Sequence, residues 1–244
     1  MLVSLQGKIW LAERSAQGKY EKPVWVGNAP TATLQLATET TKKTESYSGN
    51  RLQIGELDRG KTATLNLTLD EWLPSNLVLG LYATQSDIVA GTVTAEPLPA
   101  ELKAGEFIRL DHPFVSDVVL TAAAPLVVGT DYRMESAPGG LIEILKDTSA
   151  AVKAAYSYES VTSLAMFTDR PPERWLFLDG INTETGESVL VDLYRCKFNP
   201  VGDLGLIHDE YGSLALTGSV LFDTLNAREA NLGGYGRMVS KKAA

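Results

Sequence analysis

The sequence predicts a mainly β protein with one short helix and a β-rich insertion. Residues 175–223 alternate apolar and polar side chains over three strand lengths, and the turn-rich segment Asn182–Gly186 separates the first two. Two further alternating segments precede residue 73, and helical spacing is confined to residues 74–85. Sheets therefore dominate the predicted architecture, and each element can be justified in turn.

Two strands are predicted in the N-terminal part of the chain, at residues 31–39 and 61–72. In the second strand, Ala63, Leu65, Leu67 and Leu69 alternate with Thr62, Thr64, Asn66 and Thr68. One face should therefore meet a core and the other water. The water-facing side carries no charge, although exposed strands often use Lys or Glu to discourage edge pairing. The segment between the strands, Thr40 to Gly60, is expected to be a long polar loop.

Three strands are predicted near the C-terminus. Residues 175–181 and 187–198 should pair as antiparallel strands, and residues 212–222 should form a third. In the third strand, Ser213, Thr217 and Ser219 lie on the opposite side from Leu214, Leu216, Val220 and Phe222. The single cysteine, Cys196, lies within an alternating strand, which favours a buried or half-buried thiol. A short helix and a mobile, basic end are expected after Asp223.

One helix is predicted within Pro74 to Gln85, with Ser75 as a possible N-cap. Leu77 and Leu81 lie four residues apart, and neighbouring apolar residues widen this face beyond one stripe. A short helix of this kind must be covered on several sides. Its cover comes either from the same chain or from a neighbouring subunit.

Residues 91–160 have a different character, because prolines interrupt short β-like segments. We interpret this part as a β-rich insertion. The predicted organisation is therefore a discontinuous core domain, residues 1–90 and 161–244, that carries an insertion at 91–160.

Composition narrows the class of function. The formal net charge is −8, which argues against a surface that grips nucleic acid, and 44% hydrophobic residues suffice for a sizeable core. The N-terminal sequence lacks the features of a signal peptide, and no segment approaches the ~20 apolar residues of a membrane helix. We expect a protein that folds in a cytoplasm and does not enter a membrane.

The residues that most often carry chemistry form no recognisable catalytic pattern. The two histidines, His112 and His208, lack metal-ligand spacing, and the adjacent Asp209 and Glu210 lack a defined groove. No nucleophile elbow, phosphate loop or dinucleotide fingerprint is present. We expect no enzymatic activity, no cofactor and no metal. Packing is the expected role of the scattered tryptophans, which are Trp10, Trp25, Trp72 and Trp175.

The order of several segments resembles that of the major tail tube protein of long, non-contractile-tailed bacteriophages, a family similar in fold to type VI secretion tube proteins. The segments are GKIWLAER, VGNAPTATLQL with ESYSGNR, LNLTLDEWLPSNLVLGLYA, FLDGINTETGESVLVDLYRCKFNPVGDL and LALTGSVLFD. The resemblance implies a tail-tube-type β-sandwich or barrel with one flanking helix. It places the insertion on the exterior of a tube.

The resemblance also implies assembly into stacked homo-oligomeric rings, hexameric by family, that form a conduit for genome delivery. Its partners would be tape measure, tail terminator and distal tail proteins, in a virion tail assembled in the cytoplasm of a bacterial host. DNA would pass through without specific binding, which suits a neutral lumen. The candidates for lumen-facing residues are Thr64, Asn66, Thr68, Ser213, Thr217 and Ser219. Their ordinary interpretation is a solvated outer face.

Contacts between subunits are expected at the Thr40–Gly60 loop and on the helix. The candidates are Arg51, Glu56, Asp58, Arg59, Leu77 and Leu81, and the loop is expected to become ordered on assembly. Two alternatives stay open: a type VI secretion tube subunit, and a carbohydrate-binding or adhesive β domain that uses Tyr132, Tyr156 or Tyr158.

Overall fold

The structure is a computed structural model that describes residues 2–241. It is mainly β, with 52% of residues in strands and 5% in helical segments, which confirms the predicted fold class. The described chain begins with strands β1 (Leu5–Arg14), β2 (Tyr20–Trp25), β3 (Thr31–Thr44) and β4 (Gln53–Leu69), followed by helix α1 (Pro74–Leu81). Next come β5 (Thr84–Ile88), β6 (Gly91–Pro97), β7 (Phe107–Arg109), β8 (Val115–Thr121), β9 (Tyr132–Ser136), β10 (Leu141–Ile144), β11 (Lys153–Tyr158) and β12 (Val161–Ala165). The last strands are β13 (Arg174–Asn182), β14 (Ser188–Phe198), β15 (Leu214–Val220) and β16 (Gly236–Ser240), with a 3₁₀ turn at Asn226–Arg228.

The chain forms two compact units. The first contains the described residues up to Thr84 together with those from Ala165 onward, and the second is Gln85–Leu164. Strands β5 and β12 pair with each other where the chain passes from one unit to the other and returns.

The first unit is built on an eight-stranded sheet with the order β2-β1-β13-β14-β15-β4-β3, in which β16 also pairs with β14. Its core draws on five consecutive strands of this order and on α1, so the sheet curls around one apolar cluster. Leu67, Leu69 and Leu214 are at most 1% exposed within that cluster. Burial of each leucine side chain contributes about 1.5–3 kcal/mol.

The predicted loop from Thr40 to Gly60 is wrong, because most of it belongs to a long hairpin. Strands β3 and β4 pair in register from Thr31↔Thr68 to Thr44↔Gln53, with irregularities after Glu39 and after Lys43. Only residues 45–52 lie outside the two strands. The polar composition concealed the strands, because a ribbon that is exposed on both faces has no apolar alternation to reveal it.

Helix α1 begins at Pro74, and Leu73 takes the N-cap position without a side-chain hydrogen bond, so the assignment of Ser75 as N-cap is wrong. Proline suits this first position because its missing N–H would have no partner there. The helix ends at Tyr82, which adopts a left-handed conformation. Gly80 lies against the sheet: a Cβ at this position would be 2.7 Å from Val201 Cγ2. Close packing therefore explains a glycine that lowers intrinsic helix propensity.

The predicted antiparallel pair near the C-terminus is confirmed as β13 and β14. Cys196 is 1% exposed, as expected, and burial raises the pKa of its thiol to about 12. The third predicted strand is shorter than expected, because Phe222 lies beyond β15 and is 48% exposed. In the end expected to be mobile, residues 236–240 instead form β16, which pairs with Val189–Leu193 of β14, and residues 242–244 lie outside the described residues.

The second unit has two three-stranded antiparallel sheets, β7-β10-β9 and β6-β11-β8. They enclose a separate apolar cluster that includes Leu120, Ile142 and Ala154, each 0% exposed. Residues 137–140 join β9 to β10. Within the part of the chain that the structure describes, no helix has both the length and the apolar character needed to cross a membrane.

Candidate functional site: the uncharged sheet face

Over residues 31–35 of β3, 64–68 of β4 and 217–219 of β15, one face of the sheet carries polar side chains without charge. The pairs Thr33↔Asn66, Gln35↔Thr64, Thr217↔Asn66 and Ser219↔Thr64 place these residues in adjacent rows. Cross-strand partners project from the same side of a sheet. We call this the uncharged face and define it as Thr31, Thr33, Gln35, Thr64, Asn66, Thr68, Thr217 and Ser219.

Strand alternation creates the uncharged face. Leu65, Leu67 and Leu216 point to the opposite side and are at most 3% exposed, which fixes the register of their strands. Every second residue is then directed toward solvent. The side-chain amide of Asn66 donates a hydrogen bond of 3.4 Å to Thr33 Oγ1. Hydroxyl and amide groups bind water here and offer neither an acid nor a base near neutral pH.

Five of the six lumen candidates lie together on the uncharged face. The sixth, Ser213, is exposed but precedes the first residue of β15. Sequence reasoning missed Thr31, Thr33 and Gln35, although the alternation in TATLQLATE contained the signal. The charged residues nearest in register are Lys197, which pairs with Ser219, and Glu39, which pairs with Gly60.

The charged inter-subunit candidates all lie on the outer part of the β3–β4 hairpin. Arg51 is in the turn, and Glu56, Asp58 and Arg59 are on β4; all four are exposed. Because β3 continues opposite them, these residues are presented by a paired ribbon and not by a loose loop. They are accessible to a partner without prior folding of the segment.

The hairpin turn is organised by Glu45, whose residue is only 4% exposed. Its carboxylate accepts hydrogen bonds from the Ser48 hydroxyl, from the backbone N–H groups of Ser48 and Tyr47 (both 2.8 Å), and from that of Leu52 (3.2 Å). The bonds from Ser48, first the hydroxyl and then the N–H, are the main reason that the pKa of Glu45 falls to about 2. The turn therefore has its own hydrogen-bonded structure within the single chain, and its further ordering on assembly stays a prediction.

The apolar inter-subunit candidates belong to α1. Leu81 is 9% exposed and Leu77 is half-buried, so the chain itself already covers Leu81. Of the two sources of cover considered for the helix, the same chain supplies most of it through β15 and Val201.

A buried ion pair ties β1 to the segment after β15. The Asp223 side chain is 0% exposed and accepts hydrogen bonds of 2.9–3.1 Å from Arg14. Burial opposes ionisation, but hydrogen bonds from Asn226, Leu225 and Arg14 keep the pKa of Asp223 below its ordinary value. Asn226 also donates to the Gly18 carbonyl. No sequence pattern indicates this network, because Arg14 and Asp223 are 209 residues apart along the chain.

The residues considered as possible catalytic or metal-binding groups do not come together in one site. His112 stacks on Tyr158 in the second unit, with ring centroids 3.9 Å apart, whereas His208 contacts Trp72 in the first. Asp209 and Glu210 are exposed in the segment between β14 and β15. Within residues 2–241, no group of three or more His, Cys, Asp and Glu residues is arranged to hold a metal ion.

The tryptophans differ in their environments. Trp175 is 5% exposed and packs against Tyr194, and the half-buried Trp10 stacks on Phe177. Trp25 and Trp72 are 42% and 37% exposed, so packing within this chain accounts for the first pair only.

These features define a mainly β protein with a curled sheet, an uncharged face and a second β unit. The chain belongs to the family described as "Protein of unknown function UCP028589", whose model matches residues 2–239. No curated protein matches the chain.

Proposed function

We propose that this chain is a structural subunit that polymerises into stacked rings and forms the tail tube of a long-tailed bacteriophage. The observation that carries the proposal is the uncharged face. Among the described residues, no Lys or Arg belongs to this face, which crosses three adjacent strands, and the cation nearest in register is Lys197 on the next strand, β14. A surface of hydroxyl and amide groups suits a lumen through which DNA must slide.

The physical reason is the electrostatics of DNA. Each phosphate that a protein neutralises with Lys or Arg releases counterions and adds a salt-dependent contribution to affinity. A lumen lined by such cations would retain the genome. Thr, Ser, Asn and Gln side chains keep water at the surface without that attraction, so DNA passes without specific binding.

The ends of the sheet support assembly through strand edges. Strands β2 and β3 end the strand order, and all 14 residues of β3 are exposed. A long edge strand without proline is a template for pairing with another chain. Closure of a ring removes such edges, as a barrel does within one chain. The proposal includes a hexameric ring and a structural role without catalysis. It also includes three partners: the tape measure, tail terminator and distal tail proteins.

The burial of two tyrosines argues against the sugar-binding alternative. Tyr132 and Tyr156 are 2% and 3% exposed, and their hydroxyls donate hydrogen bonds to the Val118 carbonyl and to Glu96. Tyr158 is half-buried beneath His112. A stacking platform for sugars needs open aromatic faces.

The proposal is tested by electron microscopy of the purified protein over a concentration series, with size-exclusion chromatography alongside. Hollow rings or stacked tubes are the expected result. Persistent monomers, even after addition of tail-initiation proteins, would contradict the proposal.

The lumen assignment has its own test in tubes that carry Asn66→Lys and Thr217→Lys. We expect these tubes to retain double-stranded DNA, with an affinity that falls by a slope of about −0.9 in log–log salt plots per phosphate contacted. The matched control is Asn66→Gln with Thr217→Val, which adds no charge and should not retain DNA. Equal retention by both variants would place this face outside the lumen.

A further inference from the structure

An apolar groove lies inside the curled sheet of the first unit. It has a volume of about 430 Å³, and its lining includes Leu5, Leu34, Leu36, Leu178, Val191 and Met238. Leu34 and Leu36 are 41% and 73% exposed, although β3 directs them to the same side as the buried Leu65 and Ala63. In the described chain, the core-facing side of β3 at Leu34 and Leu36 is therefore exposed to solvent.

The same unit has an exposed loop whose apolar side chains suit an apolar groove of this kind. We use this name for residues 203–213, between β14 and β15. Its Leu206, Ile207 and Tyr211 are 78%, 93% and 103% exposed. Among the described residues, 203–213 form no backbone hydrogen bond. The full connection, residues 199–213, lies in the length range in which loops without secondary structure are usually functional or disordered, and an unpaired backbone can add to a sheet edge.

Charges on the two surfaces are complementary. Arg237 lines the apolar groove, and Lys61 lies in an adjoining depression that shares Leu36 and Ala63 with it. The Arg237 guanidinium is already paired with Asp192 at 2.9 Å, so the positive charge that complements an acidic partner comes mainly from Lys61. The exposed loop carries Asp203, Asp209 and Glu210 around its apolar residues. An apolar contact surrounded by opposite charges favours one docking orientation.

The exposed loop and the apolar groove lie beside different parts of the C-terminal half of β4 and its continuation. His208 in the loop contacts Trp72, which follows the last residue of β4, Leu69. Leu36 in the groove pairs with Ala63, six residues before Leu69, a separation of about 20 Å along the strand. The loop does not line the groove of its own chain. A contact between the two surfaces therefore joins different copies in a head-to-tail manner, and such contacts build rings or stacks.

We propose that the exposed loop of one copy inserts Leu206 and Ile207 into the apolar groove of the next copy, an interface that rests on the proposed assembly into rings. The unpaired edge of β3 lies beside the groove and extends the contact.

Chemical cross-linking tests the contact directly. Full-length Leu36→Cys and Ile207→Cys proteins are mixed and oxidised mildly, and the expected product is a disulfide-linked heterodimer. The native Cys196 is 1% exposed, so wild-type protein should not cross-link. The matched control pairs Leu36→Cys with Val128→Cys, an exposed position in the second unit. Equal cross-linking of the control pair, or none of the test pair, would overturn the inference.

Complementation tests the head-to-tail geometry. Ile207→Asp and Leu36→Asp should each raise the concentration needed for assembly at least tenfold, with unchanged circular dichroism because both side chains are exposed. In a mixture, the Leu36→Asp variant supplies an intact loop and the Ile207→Asp variant supplies an intact groove. One contact can form between them and no further copy can add, so the expected product is a dimer that does not grow. Val128→Asp should assemble like the wild type.

The outcomes separate this interface from the proposed function. Tubes formed normally by Ile207→Asp would overturn the interface and leave the tube function standing. A Leu36–Ile207 cross-link, with wild-type protein that never forms rings or tubes, would support the interface and contradict the tube function. Absence of both the cross-link and the assemblies would overturn both.

Discussion

At the scale of single residues, Glu45 shows how one carboxylate fixes a turn. It accepts hydrogen bonds from Ser48, Tyr47 and Leu52, on both sides of the hairpin turn, and the ionised form is the better acceptor. These bonds lower its pKa from 4.5 to about 2. The folded state therefore favours the ionised group, and the stabilisation is present above pH 4.5 and lost as the pH falls toward 2.

We predict that Glu45→Gln lowers stability at neutral pH and that the difference from the wild type disappears between pH 4.5 and 2. The measurement is urea unfolding of both proteins across this pH range. Glu39→Gln, an exposed acid on the same hairpin, is the control and should show no such dependence. A difference that persists unchanged at pH 2 would mean that the carboxylate charge does not hold the turn.

At the scale of elements, the outer part of the β3–β4 hairpin has little cover from the rest of the first unit. All of β3 is exposed, and a two-stranded ribbon is only marginally stable in water by itself. Its exposed apolar residues include Leu36, Ile54 and Leu57, at 73%, 55% and 66% exposure. Such a ribbon becomes stable when another surface covers it, which is why we expect a neighbouring subunit to do so.

We predict that Arg51→Glu combined with Arg59→Glu impairs tube assembly and leaves the fold intact, because both side chains are exposed on this ribbon and reverse their charge. Sedimentation and electron microscopy measure assembly, and circular dichroism measures the fold. Arg109→Glu with Lys153→Glu reverses two exposed charges of the second unit as a control. Undiminished assembly of the Arg51 and Arg59 variant would show that the hairpin charges make no contact between subunits.

At the scale of the whole molecule, each of the two compact units has its own large apolar cluster. Leu67 and Ile142 are 1% and 0% exposed and belong to different clusters, one in each compact unit. Units with their own cores can unfold separately.

We predict two calorimetric transitions. Leu67→Ala should lower one of them and Ile142→Ala the other, each by about 2–5 kcal/mol, because each leaves a cavity in one core. Differential scanning calorimetry of the full chain measures both. A single transition shifted equally by either substitution would show that the two units unfold as one.

The sequence allowed prediction of elements that alternate over a buried face. Strand β4 was recognisable because Leu65, Leu67 and Leu69 repeat every second residue, and β13 and β14 because a turn-rich segment separates two such patterns. The outer part of the β3–β4 hairpin was not recognisable from the sequence. Its two faces are both exposed, and a segment rich in Thr, Lys and Glu has the composition of a loop. Strand β16 was missed for a related reason: its glycine and basic residues gave no apolar period, and only pairing with β14 makes it a strand.

The sequence by itself determined the fold class, the core-facing side of β4 and most of the uncharged face, because strand geometry fixes which neighbours share a side. Only the tertiary structure decided that Thr33 and Gln35 join this face, that Glu45 closes the hairpin turn, and that Leu34 and Leu36 border an open groove. Each of these depends on residues brought together by strand order and sheet curvature. Local periodicity constrains which way a side chain points, whereas its neighbours across the sheet are set by long-range pairing.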